Sequence, residues 1–257
     1  SRAYWRDYLG AAGGRAGWAV QKLCLRVPQR AFTLAHATAA RLRAEGVHGD
    51  VEVLTGLQDV SLSGGPPRAA QPVVVFAGRH IPEKRVPALV HGFAALRDRA
   101  PELRLAIYGD GPDRAAVLRL IERLGLGGVA SAPGFVDRAE LDEALAGALC
   151  MVLPSRREGY GLVVVEASAR GVPSVVVADP DNAATELVDE GLNGFVAASA
   201  DPQDIAGAIL RVRAAGPPLR ASTAAWFERN RERLSLTGSL DRVAAAYADP
   251  RVPIARS

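Results

Sequence analysis

From residue 73 onward, short apolar runs rich in β-branched residues alternate with stretches of helical period, and this alternation limits the fold more than any other feature of the sequence. The apolar runs are VVVFAG, LRLAIYG, GVASAPGF, ALCMVLP, PSVVVA and GFVAA, and helical stretches such as VPALVHGFAALRDR and DRAAVLRLIERLG separate them. Continuous apolar strands joined by helices are typical of parallel strands that are buried on both faces. The pattern predicts an α/β fold with a Rossmann-like, doubly wound parallel sheet.

Ligand-binding residues of such a sheet are expected at one edge. Right-handed crossovers place the carboxyl ends of all strands at that edge, and ligands bind in the crevice outside them. The segments that follow the predicted strands are GRHIPEK, GDGPD, GFVD, PSRREGYG and ADPDNAA. Functional side chains are therefore expected in these segments.

The first sixty residues predict a smaller, less complete α/β segment. AFTLAH, ATAARLRAEGV and VEVLTG predict strand, helix and strand, after a helix interrupted by Gly13 and Gly14. Two strands make a poor sheet, so residues 1–60 are expected to be part of a second Rossmann-like domain whose beginning is absent. We expect a linker over 61–72, the main domain over 73–215, and two helices over 216–257 that pack back toward the N-terminal side.

Composition excludes several classes of protein. A chain of 257 residues that is 49% hydrophobic and 23% charged is globular, and 31 basic against 28 acidic residues are too evenly balanced for a nucleic-acid surface. No apolar run approaches the roughly 20 residues of a membrane span, and the N-terminus is not a signal peptide, so we expect a cytoplasmic location. Cys24 and Cys150 lie in apolar surroundings at no metal or redox spacing, which predicts reduced core residues.

The segment LPSRREGYGLVVVEASARGVPSVVV carries two glutamates, Glu158 and Glu166, on either side of a glycine-bracketed tyrosine. By propensity its VVV run could form a strand, but the segment lies between two better strands and ends at Gly171 and Pro173, which favours a helix. If Gly161 opens that helix, Glu166 lies about 7.5 Å along the axis. A phosphate at the helix N-terminus would then place a ribose near Glu166 and a further group near Glu158. The alternative interpretation is structural: Glu158 is a solvated charge in a loop, and Glu166 is a capping carboxylate near the dipole of its own helix.

A second candidate segment is GRHIPEK, in which Gly78 makes the turn and two cations follow. Arg79 and Lys84 are suited to hold a diphosphate without metal and to stabilise it as a leaving group. Taken alone, such cations are more often solvated surface charges. In combination with the two glutamates, they predict a phosphate-binding site.

The ordered segments GRHIPEK, YGDGP, PGFVDRAEL, LPSRREGYGLVVVEASARGVPSVV, TELVDEGLNGFV and DPQDIAGAI strongly resemble the retaining glycosyltransferases of family 4, which have the two-domain GT-B fold. The resemblance covers the C-terminal, nucleotide-sugar donor-binding domain over residues 73–215. AFTLAHATAARLRAEGV and VEVLTG are similar to the last strand, helix and strand of the family's N-terminal domain. The resemblance implies sugar transfer with retention from a nucleotide-diphosphate sugar to an unidentified acceptor.

The resemblance also implies a role for each matching residue. Arg79 and Lys84 would clamp the pyrophosphate, Glu158 would face the donor sugar, and Glu166 would bind the ribose. Gly159, Tyr160, Gly161 and Leu162 would offer backbone to the sugar and phosphates. Phe135 and Val136 would border the base, and Gly109 and Gly111 would shape the wall beside it. Gly78, which makes the turn after its strand, is also expected to bind the donor.

The ligands and partners follow from the same resemblance. The donor is expected to be UDP- or GDP-linked rather than ADP-linked, with no metal, no other cofactor and no nucleic-acid partner. Because the Gly-rich loop at the start of the family's N-terminal domain and the acceptor-facing groups there have no match in this chain, we expect a fragment or a split enzyme that is inactive until the missing part is supplied by a domain or a separate chain. Peripheral membrane association through the absent half stays open.

Two other functions stay open as alternatives. The first is a non-catalytic nucleotide-sugar-binding subunit or regulator. The second is a GT-B-like sugar-nucleotide epimerase, which the spacing of the glutamates and the cationic loop disfavour.

Several residues depart from the family pattern or fit other chemistry. Residues 182–184, NAA, replace a pair of glycines often found there, so the donor-sugar end is expected to differ in detail, whereas Tyr160 in place of the frequent Phe is a minor change. Asp179 and Asp181 match a bare metal-binding pattern, but a turn after a strand explains them as well. His80 and His91 have no partner at a catalytic spacing, which predicts surface or helix-face positions.

Overall fold

A computed structural model describes residues 2–58 and 68–248, and these form two compact units. The smaller unit contains the residues up to Thr55 together with those from Ser239 on, and the larger unit runs from Gly56 to Gly238. The predicted linker over 61–72 lies outside the described residues as far as 67 and has no regular secondary structure from Arg68 to Gln71. The end of the predicted C-terminal helices, residues 249–257, also lies outside them.

The smaller unit begins with helix α1 (Arg2–Leu25), strand β1 (Ala31–Thr33), helix α2 (His36–Ala44) and strand β2 (Val51–Val53). The two strands pair in parallel, with Ala31 opposite Val51 and Thr33 opposite Val53. A strand, helix and strand therefore form where the sequence predicts them.

Helix α1 consists of two helical segments that meet at Gly10, where φ is 70° and ψ is −174°. The segments pack so closely that a Cβ atom on Gly14 would lie 2.7 Å from the Cα atom of Arg6, and one on Gly17 would lie 2.5 Å from the ring of Trp5. The predicted break at Gly13 and Gly14 is therefore wrong, because these glycines lie within the second segment and Gly14 permits the close approach.

The larger unit is built on one sheet of six parallel strands in the order β10-β8-β6-β3-β4-β5. The strands, with two shorter ones beside the sheet, are β3 (Val73–Ala77), β4 (Arg104–Tyr108), β5 (Ala130–Gly134), β6 (Cys150–Leu153), β7 (Arg157–Glu158), β8 (Ser174–Val177), β9 (Asp181–Asn182) and β10 (Gly194–Ala197). The connecting helices are α3 (Val86–Ala95), α4 (Arg114–Arg123), α5 (Arg138–Gly147), α6 (Leu162–Ala169) and α7 (Pro202–Asn230). The predicted doubly wound α/β fold is confirmed.

The core lies on both faces of this sheet. Every residue of β6 and β8 is buried, and Val75 and Phe76 of β3 are completely buried. Leu89 and Phe93 of α3 are buried as well. Each such side chain contributes about 1.5–3 kcal/mol relative to leaving it exposed, so the continuous apolar runs explain why these segments form central strands.

The chain changes direction within the sheet between β3 and β6. From β3 it builds outward through β4 and β5, and it then returns to β6 on the other side of β3 and continues through β8 to β10. In open parallel sheets, ligands bind outside the carboxyl ends of the strands at such a switch point. The loops after β3 and β6 therefore flank the expected site.

Helix α7 consists of two helical segments, and the second is the separate helix that the sequence predicts after residue 215. The two halves meet at Gly216, with φ 58° and ψ −148°, directly before Pro217 and Pro218. The last helix, α8 (Leu236–Ala248), belongs to the smaller unit from Ser239 on. Within the part of the chain that the structure describes, no helix is both long and apolar enough to cross a membrane.

Candidate donor-binding site

The loop after β3 carries both predicted phosphate-binding cations. It begins at Gly78 and Arg79, forms a 3-10 turn over Pro82–Lys84, and leads through Arg85 into α3. Arg85 has φ 48° and ψ 38°, and among the described residues it is the only non-glycine residue with a positive φ. An uncommon backbone conformation therefore follows directly on Lys84, at the point where the loop leads into α3.

A cavity of about 270 Å³ opens at the carboxyl ends of β3 and β4. Six of the sequence-predicted residues line it, namely Gly78, Arg79, Gly109, Phe135, Val136 and Glu166, together with Ala77, Tyr108, Asp110, Leu141 and Val163. The structure therefore brings the predicted guanidinium, the predicted ribose carboxylate and the predicted base-bordering residues to one pocket.

The wall beside this cavity depends on two glycines. Gly109 has φ 110°, and a Cβ atom there would lie 2.0 Å from the carbonyl oxygen of Gly78. Gly111 has φ 152°, and its Cβ atom would lie 2.4 Å from the carbonyl oxygen of His80. Any side chain at either position would separate the loops after β3 and β4, which explains why the GDG sequence stands there.

Phe135 is the exposed aromatic residue at the cavity, with 83% of its surface accessible. A ring held at the mouth of a pocket without being packed against the core is available to contact a planar ligand group. Tyr108 lines the cavity from β4, and burial, assisted by the charge of Glu140, raises the pKa of its phenol. Tyr108 therefore remains a neutral hydroxyl group at pH 7.

Glu158 lies outside the cavity lining and forms an ion pair with Lys84. Its Oε1 atom also accepts a hydrogen bond of 2.8 Å from the Oγ atom of Ser155, which is completely buried. Only 11% of the Glu158 side chain and 17% of the Lys84 side chain are exposed. The predicted catalytic carboxylate is thus held in one orientation by two partners.

Glu166 lies in the second turn of α6, and 15% of its side chain is exposed. Its Oε1 atom lies 3.2 Å from Nη1 of Arg138, which in turn pairs with Asp142 at 3.0 Å. Arg138, at the start of α5, is a neighbour of the site that the sequence did not predict.

The start of α6 has the predicted form. Gly161 caps the helix with φ 101°, and a Cβ atom there would lie 2.6 Å from the Cβ atom of Ala184. A Cβ atom on Gly159 would have no neighbour within 4 Å, so its backbone borders open space. Leu162 is 41% exposed, whereas Tyr160 is buried, and burial raises the pKa of its phenol to about 12. No side chain caps α6 within the described residues, so the positive end of its dipole is available to a negatively charged group.

Asp179 and Asp181 both pair with arginines. Asp179 Oδ2 accepts from Nη2 of Arg85 at 3.0 Å, and Asp181 Oδ2 accepts from Nε of Arg157 at 3.1 Å. Within residues 2–58 and 68–248, no three His, Cys, Asp or Glu side chains cluster in a way that could hold a metal ion. Asn182 caps the following 3-10 helix, Ala183–Leu187, by accepting from the Ala184 N–H at 3.1 Å.

Two sequence-based predictions about polar residues are wrong. His80 is completely buried rather than exposed, because the loop after β3 folds its imidazole edge-on against Phe76 at a centroid distance of 6.0 Å. Cys24 is exposed rather than buried, because its helix lies in the smaller unit with that face uncovered, whereas Cys150 is a buried free thiol whose pKa burial raises to about 12. His91 is exposed, as predicted.

Some residues of the site went unpredicted. Ser155 follows Pro154 directly after β6, at the sheet edge where ligand residues were expected, and this position was the available signal. Tyr108 and Arg138 lie within the quoted segments YGDGP and PGFVDRAEL, but no residue type or spacing there singled them out.

Comparison with known proteins places these observations in a family. Residues 65–225, well over half of the chain, match the family model described as glycosyl transferases group 1. The alpha-D-kanosaminyltransferase of Streptomyces kanamyceticus is 30% identical over 182 residues, covering 70% of this chain and 46% of the relative. A D-inositol 3-phosphate glycosyltransferase of Jonesia denitrificans is 34% identical over 187 residues, covering 70% of this chain and 43% of the relative. The chain thus spans less than half the length of these two relatives.

Solved structures agree on the fold. Sucrose-phosphate synthase from Thermosynechococcus elongatus superimposes with a TM-score of 0.79 at 21% identity, covering 96% of this chain and 65% of that protein. The Anabaena protein HepE in complex with UDP-glucose gives a TM-score of 0.73 at 21% identity, covering 90% of this chain and 66% of that protein. The parallel sheet is the Rossmann-like sheet of GT-B glycosyltransferases, and by its match to the family model this chain belongs to the group 1 glycosyl transferases.

Proposed function

We propose that this protein is a retaining, family 4-type glycosyltransferase and that its larger unit binds a nucleotide-diphosphate sugar. The observation that carries the proposal is the cavity at the sheet's switch point, where Arg79, Glu166 and Phe135 meet. The cation is suited to bind a phosphate, and the carboxylate is suited to bind a ribose diol. The exposed aromatic ring is suited to contact a base.

The phosphate end of the donor is met by positive charge from protein groups alone. Arg79 lies at the cavity, Lys84 is in the same loop, and the N-terminus of α6 adds its free N–H groups and dipole. These groups bind the ground-state diphosphate and stabilise the extra negative charge that develops as the sugar–oxygen bond breaks. We therefore propose departure of the nucleoside diphosphate without a divalent metal.

Glu158 is the residue that contacts the sugar of the donor in this proposal. Ser155 and Lys84 fix its carboxylate, which borders the open backbone at Gly159. A carboxylate held in this way is suited to bind sugar hydroxyl groups and to favour the cationic character of the anomeric carbon in the transition state. Retention of configuration is proposed on the resemblance of the segment from Glu158 to Glu166 to the retaining enzymes.

The acceptor is proposed to bind to residues outside the larger unit. The matched segments cover less than half of each relative named above. The acceptors and sugars of those relatives are therefore not assigned to this chain. Alignment of an acceptor on the anomeric carbon supplies roughly 7–11 kcal/mol of a transfer barrier. We accordingly expect donor binding without measurable transfer when residues 1–257 are supplied alone.

Calorimetry with UDP, GDP and ADP, each with and without EDTA, tests the proposal. UDP or GDP is expected to bind, with an affinity that EDTA does not change and that Arg79→Ala lowers. Arg15→Ala, in exposed α1, serves as the matched control. A nucleotide affinity that disappears on chelation would overturn the metal-free proposal, and absence of binding by all three nucleotides would overturn the donor site itself.

A further inference from the structure

Three ion pairs join the segments that follow β3, β6 and β8 to one another. Lys84 pairs with Glu158 between the first and second segments, Arg85 with Asp179 between the first and third, and Arg157 with Asp181 between the second and third. Every segment is therefore tied to both of the others.

Backbone hydrogen bonds reinforce two of these connections. The Arg156 N–H donates to the carbonyl oxygen of Glu83 at 2.8 Å. Strands β7 and β9 pair in parallel, with Glu158 opposite Asn182. The six ion-pair side chains are 11–28% exposed, so solvent screens them less than it screens surface pairs.

Arg85 adopts its left-handed conformation at a cost. For a residue with a Cβ atom, this region of φ and ψ is unfavourable, whereas glycine adopts it freely. The side chain that glycine would lack is the one that reaches Asp179, with 3.0 Å between Nη2 and Oδ2. The ion pair thus gives a reason for an arginine at this position.

We propose that Asp179 and Asp181 are positioning residues of the donor site, each acting through an arginine. Asp179 holds Arg85 and thereby the direction of the adjacent Lys84, the phosphate-binding cation. Asp181 holds Arg157 and thereby the direction of the adjacent Glu158, the sugar-facing carboxylate. The inference rests on the proposed function, and it assigns the two aspartates to the alignment of side chains rather than to metal binding.

The two aspartates are expected to have different effects, because each acts through a different neighbour. Loss of the Asp179 contact disturbs a group that binds phosphate, which every form of the nucleotide carries. Loss of the Asp181 contact disturbs Glu158, for which the sugar is the only part of the donor proposed as a ligand. A general structural role would make no such distinction between ligands.

The test measures the dissociation constants of UDP and UDP-glucose, with GDP and GDP-mannose as a second pair, for four variants. Arg85→Gly and Asp179→Asn are expected to weaken nucleoside diphosphate and sugar nucleotide alike, by roughly 5- to 30-fold, as for residues of one interacting network. Asp181→Asn is expected to weaken only the sugar nucleotide by a similar factor. Arg213→Gln, which removes an exposed pair with Glu102, is the control and should bind as wild type does.

Two further measurements distinguish a positioning role of these residues from an effect on the stability of the fold. Arg85→Gly relieves backbone strain, so its melting temperature should equal or exceed that of wild type while its nucleotide affinity falls. The double variant Arg85→Gly/Asp179→Asn should bind no more weakly than either single variant, because both changes remove the same contact.

Each alternative outcome overturns a defined statement. If Arg85→Gly binds both ligands as wild type does, or if Asp181→Asn weakens both ligands equally or neither, the positioning roles are wrong while the donor site stands. If wild type binds none of the four nucleotides, the proposed function is wrong and the inference fails with it.

Discussion

The two units of this protein use the same α/β pattern with different results. In the larger unit, helices bury a six-stranded sheet on both faces, and all candidate donor residues lie in the segments that follow its strands or at the start of helix α6. In the smaller unit, the sheet has two strands of three residues each, and no candidate donor residue occurs there. The comparison shows that a precise site needs a covered sheet that holds its loops in place.

Exposed side chains reveal the same difference. Tyr8, Leu9, Val20 and Leu23 of α1 are each more than half exposed. The helices of the larger unit bury most of their large apolar residues, as Leu89, Val90 and Phe93 of α3 do. We therefore expect substitutions of matched chemistry to cost much more in the larger unit than in the smaller one.

The largest expected effect is that of Arg220→Met. Arg220 is 5% exposed, and its guanidinium donates to the carbonyl oxygens of Arg68, Ala146 and Ala148, which include the end of α5. Removal of the donors leaves buried carbonyl groups without these partners, so the free energy of unfolding should fall by about 3 kcal/mol. Urea unfolding followed by circular dichroism measures this.

The matched change in the smaller unit is Arg43→Met, which removes an exposed hydrogen bond of 2.7 Å to the Val51 carbonyl oxygen. Its cost should stay within about 0.5 kcal/mol. Equal costs for the two arginine variants would show that the contrast between the units is wrong.

The next effect separates the two glutamates of the larger unit. Glu166→Ala should weaken UDP and UDP-glucose alike by about 1.5–3 kcal/mol, the value of a hydrogen bond to a charged group. Glu158→Ala should weaken only the sugar nucleotide. Calorimetry on both variants measures this, with Glu45→Ala from the smaller unit as the control. If both glutamate variants lose both ligands equally, the ribose and sugar assignments are wrong.

The fold of the larger unit follows from its sequence because one physical cause dominates there. Strands buried on both faces must be continuous apolar runs, as VVVFA and CMVL are, and the helices between them must be amphipathic or apolar. The glycine positions were also predictable, since Gly109 and Gly161 adopt positive φ values at strand and helix ends.

The features that could not be predicted from the sequence depend on tertiary packing, that is, on which side chains lie against one another in the folded protein. The sequence does not distinguish Gly10 from Gly13 as the break in α1, because either glycine permits it and only the packing of Trp5 against Gly17 decides. Cys24 has apolar neighbours along the chain but none that cover it. In the donor site, Arg85 takes its role from Asp179, which is distant in sequence, and no local pattern encodes that contact.

The smallest expected effect is a dependence of stability on pH that originates at His80. Burial lowers the pKa of its imidazole; Asp110 and Asp113 oppose this shift and Arg114 adds to it. Neither ring nitrogen has a hydrogen-bond partner among the described residues. The unfolded chain therefore takes up a proton near the ordinary histidine pKa of about 6.5, whereas the folded chain takes it up only at lower pH.

Because the unfolded state binds more protons over this interval, the stabilisation is complete above pH 6.5 or so and decreases as the pH falls toward the folded-state pKa. His80→Met should retain wild-type stability at pH 7.5, since an unpaired imidazole is replaced by an adaptable apolar side chain, and should flatten the dependence below about pH 6.5. Exposed His91→Gln is the matched control and should leave the wild-type slope unchanged. Melting temperatures across this range measure both variants. If His80→Met keeps the wild-type slope, the acid sensitivity originates elsewhere and the buried histidine is not its source.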